Sequence, residues 1–356
     1  MPAIGLMTNK RELRSLGRFA PYAAEAERLG FAAAVLFEPG GVDLAAGRID
    51  GFRYERGVWR EGRWPLPDVA HDFGDYRAAG ASRRAKAVRR SAALPFTGDG
   101  LGHKWLMHRK LLATPYAALV PETRLLRSPD EAIALLREHG AVVIKPKHGS
   151  RGAGIVRIAR AEDGEPLYRW QETRGPVERL TAAALRERIG ARWRPARSIV
   201  QRWMDIRSPN GGVYDIRALL QRNERGVWQL TAMAVRESEP GRIASNVSVG
   251  GAVREVRPFL AALYGEAEAE RLEAECRTVS AALPAALEAA YGRRFAELGV
   301  DFAVERGAVR IIEVNAKPGK KIVRALSGER AYADALLLPI RYAKLLSDRG
   351  CRTQGS

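Results

Sequence analysis

The segment from Gly299 to Gly319 constrains this chain more than any other part of its sequence. Two apolar runs flank Glu305-Arg306-Gly307, which is a hairpin signal, and the second run ends in Glu313-Val314-Asn315. Side chains alternate along a strand, so Glu313 and Asn315 share one face while Val314 turns into the core. The segment therefore predicts a hairpin that carries oxygen ligands on one face.

A third oxygen ligand precedes this pair on the first strand of the hairpin. Asp301 lies twelve positions before Glu313, and the hairpin brings the two strands side by side. Two carboxylates and an amide oxygen suit a hard cation such as Mg²⁺, which takes further ligands from phosphates. We predict that Asp301, Glu313 and Asn315 hold Mg²⁺; a hairpin with a polar face is the alternative.

The formal net charge of +18 raises the question of a nucleic-acid partner. The densest basic patch is Ser82 to Arg90, but the arginines are spread along the chain and lack the aromatic interleaving of a single-strand binding groove. A solvated basic surface is therefore favoured over a nucleic-acid site, and anionic substrates are compatible with either.

The remaining composition favours a cytoplasmic protein. With 46% hydrophobic and 28% charged residues, the chain reads as globular, and no apolar run approaches the length of a membrane span. The first ten residues are typical of a strand rather than of a secretory signal. Cys276 and Cys351 form no metal-ligand spacing. We expect a reducing compartment and no membrane contact.

The order of predicted elements divides the chain. A strand over 3–7, a helix over 18–29 and a strand over 32–37 form a βαβ start, and a hairpin follows over 49–64. Turn chemistry over 95–102 predicts a boundary. Ser128-Pro-Asp-Glu131 predicts a capping box for a helix that Gly140 ends. Further strands are predicted over 141–145, 198–204, 214–222 and 228–237, and further helices over 104–113, 181–190 and 272–292.

A glycine-rich loop follows the predicted strand that ends at Lys145. Its glycines would let backbone N–H groups approach phosphate oxygens, and Lys145 would add a positive charge. The loop matches neither a P-loop nor a dinucleotide fingerprint, because no helix follows it. A tight turn is the alternative reading. The loop residues with predicted roles are Lys147, Gly149, Ser150, Arg151, Gly152 and Gly154.

The segment Gln201-Arg202-Trp203-Met204 is typical of a connector between lobes. Gln201 and nearby backbone groups would read the edge of a base, with Trp203 or Met204 packed near its plane. Core packing explains Trp203 equally well. For Asp215, on a later strand, the alternatives are a structural ion pair with Arg217 and a contact to ribose or phosphate.

A set of donors completes the predicted site. A guanidinium, a side-chain amide and two unhindered backbone N–H groups would hold charge that develops on a transferred phosphoryl group or a tetrahedral intermediate. The residues are Arg236, Asn246, Gly250 and Gly251.

With these residues in order, the chain resembles the ATP-grasp superfamily over roughly residues 104–319. The motifs His103-Lys-Trp105, Pro121-Glu-Thr123 and Lys145 to Gly154 are similar to those of the endospore coat-associated YheC/YheD family. The resemblance implies an α/β (α+β) fold in which two lobes clasp ATP behind an N-terminal βαβ pre-grasp domain. The implied domains are 1–97 (pre-grasp), 98–200 (central lobe) and 201–346 (C-terminal lobe), with a tail over 347–356.

The resemblance also implies residue roles. Lys104 and Lys145 would contact the phosphates of ATP, Gln201 to Met204 the adenine, and Asp215 the ribose. Asp301, Glu313 and Asn315 would hold Mg²⁺. His103 stands where related ligases often have an acidic residue, which puts the role of Lys104 in question.

We therefore expect an ATP-dependent carboxylate-amine ligase that forms an amide through an acylphosphate. Its substrate would be an amino acid or a peptide. Lys317, Lys320, Lys321 and Arg324 favour an acidic one, with solvated surface as the alternative. An ATP-binding spore-coat scaffold without turnover is the competing hypothesis. The resemblance adds forespore or spore-coat association to the expected cytoplasmic location.

Overall fold

The computed structural model describes residues 1–76, 79–149, 152–161, 167–173, 175–243 and 251–350. Their strands form three sheets, built from residues 3–72, 123–202 and 214–315. The expected mixed α/β fold is confirmed. The domain boundaries at 97, 200 and 346 remain a prediction. No helix in these described ranges is long and apolar enough to cross a membrane.

The first sheet confirms the predicted βαβ start. Strand β1 pairs in parallel with β2 and β5, and the buried runs of β1 and β2 are covered by helix α1. The strand order is β4-β3-β2-β1-β5, so the hairpin β3–β4 and strand β5 lie at opposite edges. The elements are β1 (Ala3–Met7), α1 (Leu16–Arg28), β2 (Ala33–Asp43), β3 (Arg48–Glu55), β4 (Val58–Pro65), β5 (Val69–Asp72) and α2 (Ala79–Arg89).

The second sheet is antiparallel throughout its described pairs, in the order β10-β9-β8-β7-β11-β6. Its central strands are buried runs that pack with the fully buried Trp170 and helices α4 and α5. The elements are α3 (Lys104–Leu111), β6 (Thr123–Leu126), α4 (Pro129–His139), β7 (Ala141–Pro146), β8 (Val156–Arg160), β9 (Leu167–Glu172), β10 (Val177–Thr181), α5 (Ala182–Arg192) and β11 (Ser198–Arg202).

The start of α4 corrects one local prediction. Ser128 is the N-cap residue and Gly140 ends the helix in the left-handed conformation, as expected. The Ser128 side chain makes no capping hydrogen bond, however, and Glu131 accepts instead from the backbone N–H of Arg127. The reciprocal capping box is therefore absent here, because the glutamate binds one residue upstream of the cap.

The third sheet has the order β14-β13-β12-β15-β16 and packs on a long helix, α7. Helix α7 contains the predicted apolar face, continues through Pro284 and ends at Gly292. The sequence reading did not predict α6 or α8. The elements are β12 (Tyr214–Arg222), β13 (Trp228–Glu237), β14 (Ala252–Arg254), α6 (Val256–Tyr264), α7 (Glu266–Tyr291), β15 (Glu297–Glu305), β16 (Ala308–Asn315) and α8 (Lys321–Asp348).

The hairpin β15–β16 is confirmed with its predicted turn. Arg306 and Gly307 both have positive φ, at 51° and 75°, which matches a tight two-residue turn. Asp301 pairs directly with Glu313, and a bulge beside this pair leaves Ile312 as the extra residue. Val314 is buried, as expected from alternation. Asp301, Glu313 and Asn315 therefore share one face of the hairpin.

The linker before α3 crosses the third sheet at close range. A Cβ atom on Gly98 would meet the backbone N of Ala296 at 2.6 Å, and the N–H of Asp99 donates to Arg294 O at 3.0 Å. Only a glycine permits this approach. Gly100, two residues later, has open space around its Cα.

We predict that Gly98→Ala lowers the free energy of unfolding by about 1–3 kcal/mol, because the two backbones must move apart. Urea unfolding followed by circular dichroism measures the change. Gly100→Ala is the matched control and should be neutral. Equal stability of the two variants would show that the linker does not need this contact.

Candidate functional site

A cleft lies between the second and third sheets. Lys145 and Gln201 reach it from the second sheet, Glu313 from β16 and Lys104 from the start of α3. Lys145 and the Asp301–Glu313 pair are close enough that both carboxylates act on the ammonium. Of the predicted site residues, Lys104, Lys145, Gln201 and Glu313 line this cleft. The lining residues are Lys104, Met107, His108, Leu111, Val120, Thr123, Lys145, Ile199, Gln201, Ile312 and Glu313.

Lys145 is a partly buried cation of the cleft. Its Nζ donates to Gln201 Oε1 at 2.6 Å, and Gln201 Nε2 donates in turn to Thr123 Oγ1 at 3.0 Å. Burial lowers the pKa of Lys145 to about 8, opposed by Glu313 and Asp301 and assisted by Lys104. Lys145 is therefore a charged donor at neutral pH that a small change in surroundings can neutralise.

Lys104 is held at the first turn of α3 by its neighbour. The Nδ1 atom of His103 accepts from Leu106 N at 3.0 Å, which makes His103 the N-cap of α3. The N–H of Lys104 donates to Lys147 O at 3.1 Å, and its Nζ pairs with Glu313 across the cleft. His103 thus caps the helix that carries Lys104, and the Lys104 side chain pairs with Glu313.

Asp301 lies between two arginines. Arg217 donates to both of its oxygens, and Arg236 Nη2 lies 3.1 Å from Oδ1. Although burial raises the pKa of Asp301, Arg217 and Arg236 together hold it below its usual value. The carboxylate therefore stays ionised while it is almost fully buried.

Asp215 and Arg236 form a bidentate ion pair on neighbouring strands. Arg236 Nε and Nη2 donate to the two carboxylate oxygens of Asp215, both at 2.6 Å. Because Arg236 also reaches Asp301, the two aspartates and two arginines form one buried network. A structural ion pair of Asp215 thus exists, with Arg236 as a bonded partner. The ribose contact of Asp215 remains a prediction, as does a role for Arg236 with the substrate.

The glycine-rich loop joins β7 to β8. Gly152 and Gly154 have φ of 74° and 72°, and a Cβ atom on Gly154 would meet Pro146 Cγ at 2.9 Å. Ser150 and Arg151, between these glycines and Gly149, lie outside the described residues, as do Asn246 and Gly250. Gly251 directly precedes β14. The phosphate and intermediate contacts assigned to these residues therefore remain predictions.

The connector from β11 joins the sheets through side chains. Arg202 pairs with Glu305 at 2.8 Å, and Trp203 packs under the guanidinium of Arg157 at 4.9 Å from the ring centroid. Met204 is buried in the core of the third sheet. Core packing thus accounts for Trp203 and Met204, and of this segment only Gln201 lines the cleft. Their contact with adenine remains a prediction.

Several cleft residues escaped the sequence reading. Thr123, on β6, donates to Pro121 O and accepts from Gln201, so it fixes the amide that holds Lys145. His108 is buried in the wall, and burial lowers its pKa to about 4, which keeps the ring neutral. The sequence contains the motif Pro121-Glu-Thr123, but the motif does not indicate that Thr123 lies beside Gln201 and Lys145. That position depends on the pairing of β6 with β11, which local sequence does not reveal.

The oxygen set fits Mg²⁺. The carboxylate of Glu313 is partly exposed toward the cleft, Asp301 opposes it, and Asn315 adds an amide oxygen on the same face. Hard oxygen donors with neighbouring lysines are what a magnesium–phosphate site requires. Asp301, Glu313 and Asn315 are therefore the residues that would hold the ion.

The fold and this site define an ATP-grasp protein. A sequence model of the family described as "YheC/D like ATP-grasp" matches residues 93–346. The chain belongs to this YheC/D-like ATP-grasp family.

Two curated relatives come from Bacillus subtilis (strain 168). Endospore coat-associated protein YheD is 27% identical over 295 residues, which cover 79% of this chain. Endospore coat-associated protein YheC is 22% identical over 286 residues, with 77% of this chain and 76% of YheC covered. The match spans 63% of the length of YheD, so this chain corresponds to part of that relative.

Solved structures show the same fold at low identity. D-alanyl-alanine synthetase A from Vibrio cholerae has a TM-score of 0.53 at 12% identity, covering 96% of this chain and 98% of the other. D-cycloserine synthetase DcsG has a TM-score of 0.52 at 14% identity, covering 98% and 99%. The architecture is thus shared with synthetases over nearly the whole chain.

We predict that affinity for Mg²⁺-ATP falls as the pH rises through about 8, because Lys145 loses its charge. Lys145→Met should weaken binding about tenfold to a hundredfold at neutral pH and flatten this dependence. Isothermal titration calorimetry of the wild type and of Lys145→Met at several pH values measures this dependence. Protonation of the nucleotide itself affects both proteins equally.

The pH dependence of the free energy of unfolding has the opposite sign and serves as a control for this prediction. The folded pKa of Lys145 lies below the unfolded value of 10.5, so the unfolded chain binds more protons between about pH 8 and 10.5. The contribution of Lys145 to stability therefore rises with pH while its affinity for ATP falls. If Lys145→Met lost affinity with rising pH to the same extent as the wild type, Lys145 would be excluded as the source of the loss.

Proposed function

We propose that this protein is an ATP-dependent carboxylate-amine ligase. The observation that carries the proposal is the cleft in which Lys145 and Lys104 face Glu313, with Asp301 behind it. Two cations beside two carboxylates on one sheet face form a charge pattern suited to a triphosphate with its Mg²⁺. The described cleft wall has no activated serine or cysteine, which agrees with catalysis by positioning and charge neutralisation.

The proposed reaction transfers the γ-phosphoryl group of ATP to a substrate carboxylate. An amine then attacks the resulting acylphosphate at its carbonyl carbon, the bond to phosphate breaks, and an amide, ADP and inorganic phosphate are released. Lys104 and Lys145 would neutralise phosphate charge, and Arg236 would stabilise charge on the transferred group. Bound Mg²⁺ would supply further charge neutralisation at Asp301, Glu313 and Asn315.

The relatives support a ligase that acts on an amino acid or a peptide. Glutathione synthetase of Rhodopseudomonas palustris is 45% identical over 49 residues, which cover 14% of this chain. Two synthetases that share the fold are named for D-alanyl-alanine and for D-cycloserine. We propose an amino-acid or peptide substrate for this protein as well.

We also propose a division of the chain into a pre-grasp domain (1–97), two ATP-grasp lobes (98–200 and 201–346) and a tail (347–356).

The curated relatives also support a proposed place in sporulation. Both are named endospore coat-associated proteins, and the matched region covers most of this chain. We propose a cytoplasmic protein that acts in the forespore or at the spore coat.

A scaffold that binds ATP without turnover is the second candidate, favoured by those spore-coat names. The intact set of Asp301, Glu313 and Asn315 favours the ligase, since a site without turnover would not need to retain all three. A thermal shift with Mg²⁺-ATP combined with a phosphate-release assay separates the two. Binding without phosphate release under any pair of carboxylate and amine substrates would support the scaffold.

We predict that Glu313→Gln lowers substrate-dependent phosphate release about a hundredfold, because it removes a Mg²⁺ ligand and the partner of Lys104. The assay uses pools of amino acids and short peptides with saturating ATP and Mg²⁺. The matched control is Glu187→Gln, at an exposed position on α5.

Circular dichroism should show the same fold for both glutamate variants. Phosphate release by Glu313→Gln at the rate of Glu187→Gln would contradict the assignment of this cleft as the active site.

A further inference from the structure

The basic residues near the end of β16 are already paired. Lys317 Nζ lies 2.8 Å from Asp72, Lys320 Nζ lies 2.6 Å from Glu297, and Arg324 Nε lies 2.9 Å from Glu329. Sequence reasoning pointed to this group as the binding site for an acidic substrate. Three of the four cations in this group have carboxylate partners. The group is therefore not favoured as the binding site for an acidic substrate.

Helix α2 carries a different set of cations. Arg83 and Lys86 on α2 and Arg90, directly after its end, follow an i, i+3, i+7 spacing and are exposed, whereas Ala85 and Val88 face the core. Within the described ranges, no carboxylate pairs with any of the three. They form a one-sided cationic stripe on the side of α2 that faces away from its contact with β2 of the first sheet.

Helix α2 is linked to the strand that carries Glu313, because Arg89 pairs with Asp72 and Asp72 pairs with Lys317, two residues after β16. His103 and His148 pack edge to face at 5.3 Å, and the N–H of Lys147 donates to Arg197 O at 3.0 Å. Lys86 and Lys147 both help to lower the pKa of His103, and Lys147 and Arg197 that of His148, after burial. The charged side chains that act on this ring pair are thus cations. We name Arg83, Lys86, Arg90, Lys147 and Arg197 the α2 cation surface.

We propose that the α2 cation surface binds an acidic segment of a peptide substrate whose reacting group enters the cleft. This inference rests on the proposed ligase function and assigns its substrate class. The stripe from Arg83 to Arg90 spans about 10 Å of helix, which is longer than a single amino acid and suits a peptide with several carboxylates.

A peptide fits this surface better than a single-stranded nucleic acid does. Nucleic-acid grooves combine phosphate contacts with aromatic side chains on which bases stack. Among the described residues, the large hydrophobic side chains that are exposed include no aromatic ring. A net charge of +18 attracts an acidic peptide without such rings.

The test uses a fluorescein-labelled peptide of ten glutamates, measured by anisotropy with the full chain at moderate salt. The variant combines Arg83→Gln, Lys86→Gln and Arg90→Gln. We expect it to bind about tenfold more weakly than the wild type, since each exposed pair contributes modestly. The control combines Arg48→Gln, Arg56→Gln and Arg60→Gln on the hairpin β3–β4, whose strand β4 forms one edge of the same sheet. It loses the same charge and should stay within twofold of the wild type.

Three results would overturn the proposal: no binding of the peptide by the wild type, equal weakening in the two triple variants, or tighter binding of an oligothymidylate of equal length. A thermal shift with Mg²⁺-ATP should be the same for the wild type and both variants. A wild type that binds the peptide but gives no shift with Mg²⁺-ATP would support the surface and reject the ATP-dependent function, so the two failures are distinguishable.

Discussion

The pairing of Asp301 with Glu313 across β15 and β16 is the contact on which the candidate site depends. It places two carboxylates side by side, which is unfavourable unless nearby cations neutralise them. Arg217 and Arg236 serve Asp301 from within the sheet, and Lys104 serves Glu313 from across the cleft. Asp301 thus has fixed partners within the sheet, whereas Glu313 has its partner on another element. Glu313 is therefore the carboxylate that can exchange Lys104 for Mg²⁺ when the nucleotide binds.

The same hairpin is tied to the first sheet. Lys317, two residues after Asn315, pairs with Asp72 at the end of β5 and donates to Gly74 O at 2.6 Å. Asp72 also pairs with Arg89 of α2. The end of the predicted metal-binding strand is therefore fixed by the same N-terminal region that carries the α2 cation surface. Substrate recognition on α2 and nucleotide binding in the cleft would share this rigid connection.

Local patterns predicted much of the fold. The βαβ start, the hairpin turn at Arg306-Gly307 and the strands over 214–222 and 228–237 follow from alternation and turn chemistry, and the structure has them. Helix α8 was missed because Gly328, which interrupts its helical backbone, and Pro339 break the apolar period. The capping box failed because Glu131 had a second backbone N–H within reach.

The site was predictable in its residue types but not in its pairings. Lys145, Glu313 and Asp301 were identified from spacing and resemblance, and they converge. The contact between Lys104 and Glu313 joins positions 209 apart, and Thr123 reaches Gln201 across a strand pair that no local pattern marks. The partners of Lys317 and Lys320 likewise depend on tertiary packing, which is why the sequence reading assigned these cations to a substrate.

In the proposed function, a triphosphate lies between Lys145 and the Asp301–Glu313 face. The most direct measurement is a crystal structure of the protein with Mg²⁺ and a non-hydrolysable ATP analogue. We predict phosphate density within hydrogen-bonding distance of Lys145 and a metal ion bound by Asp301, Glu313 and Asn315. A nucleotide bound outside this cleft, or an empty cleft at saturating analogue, would contradict the account.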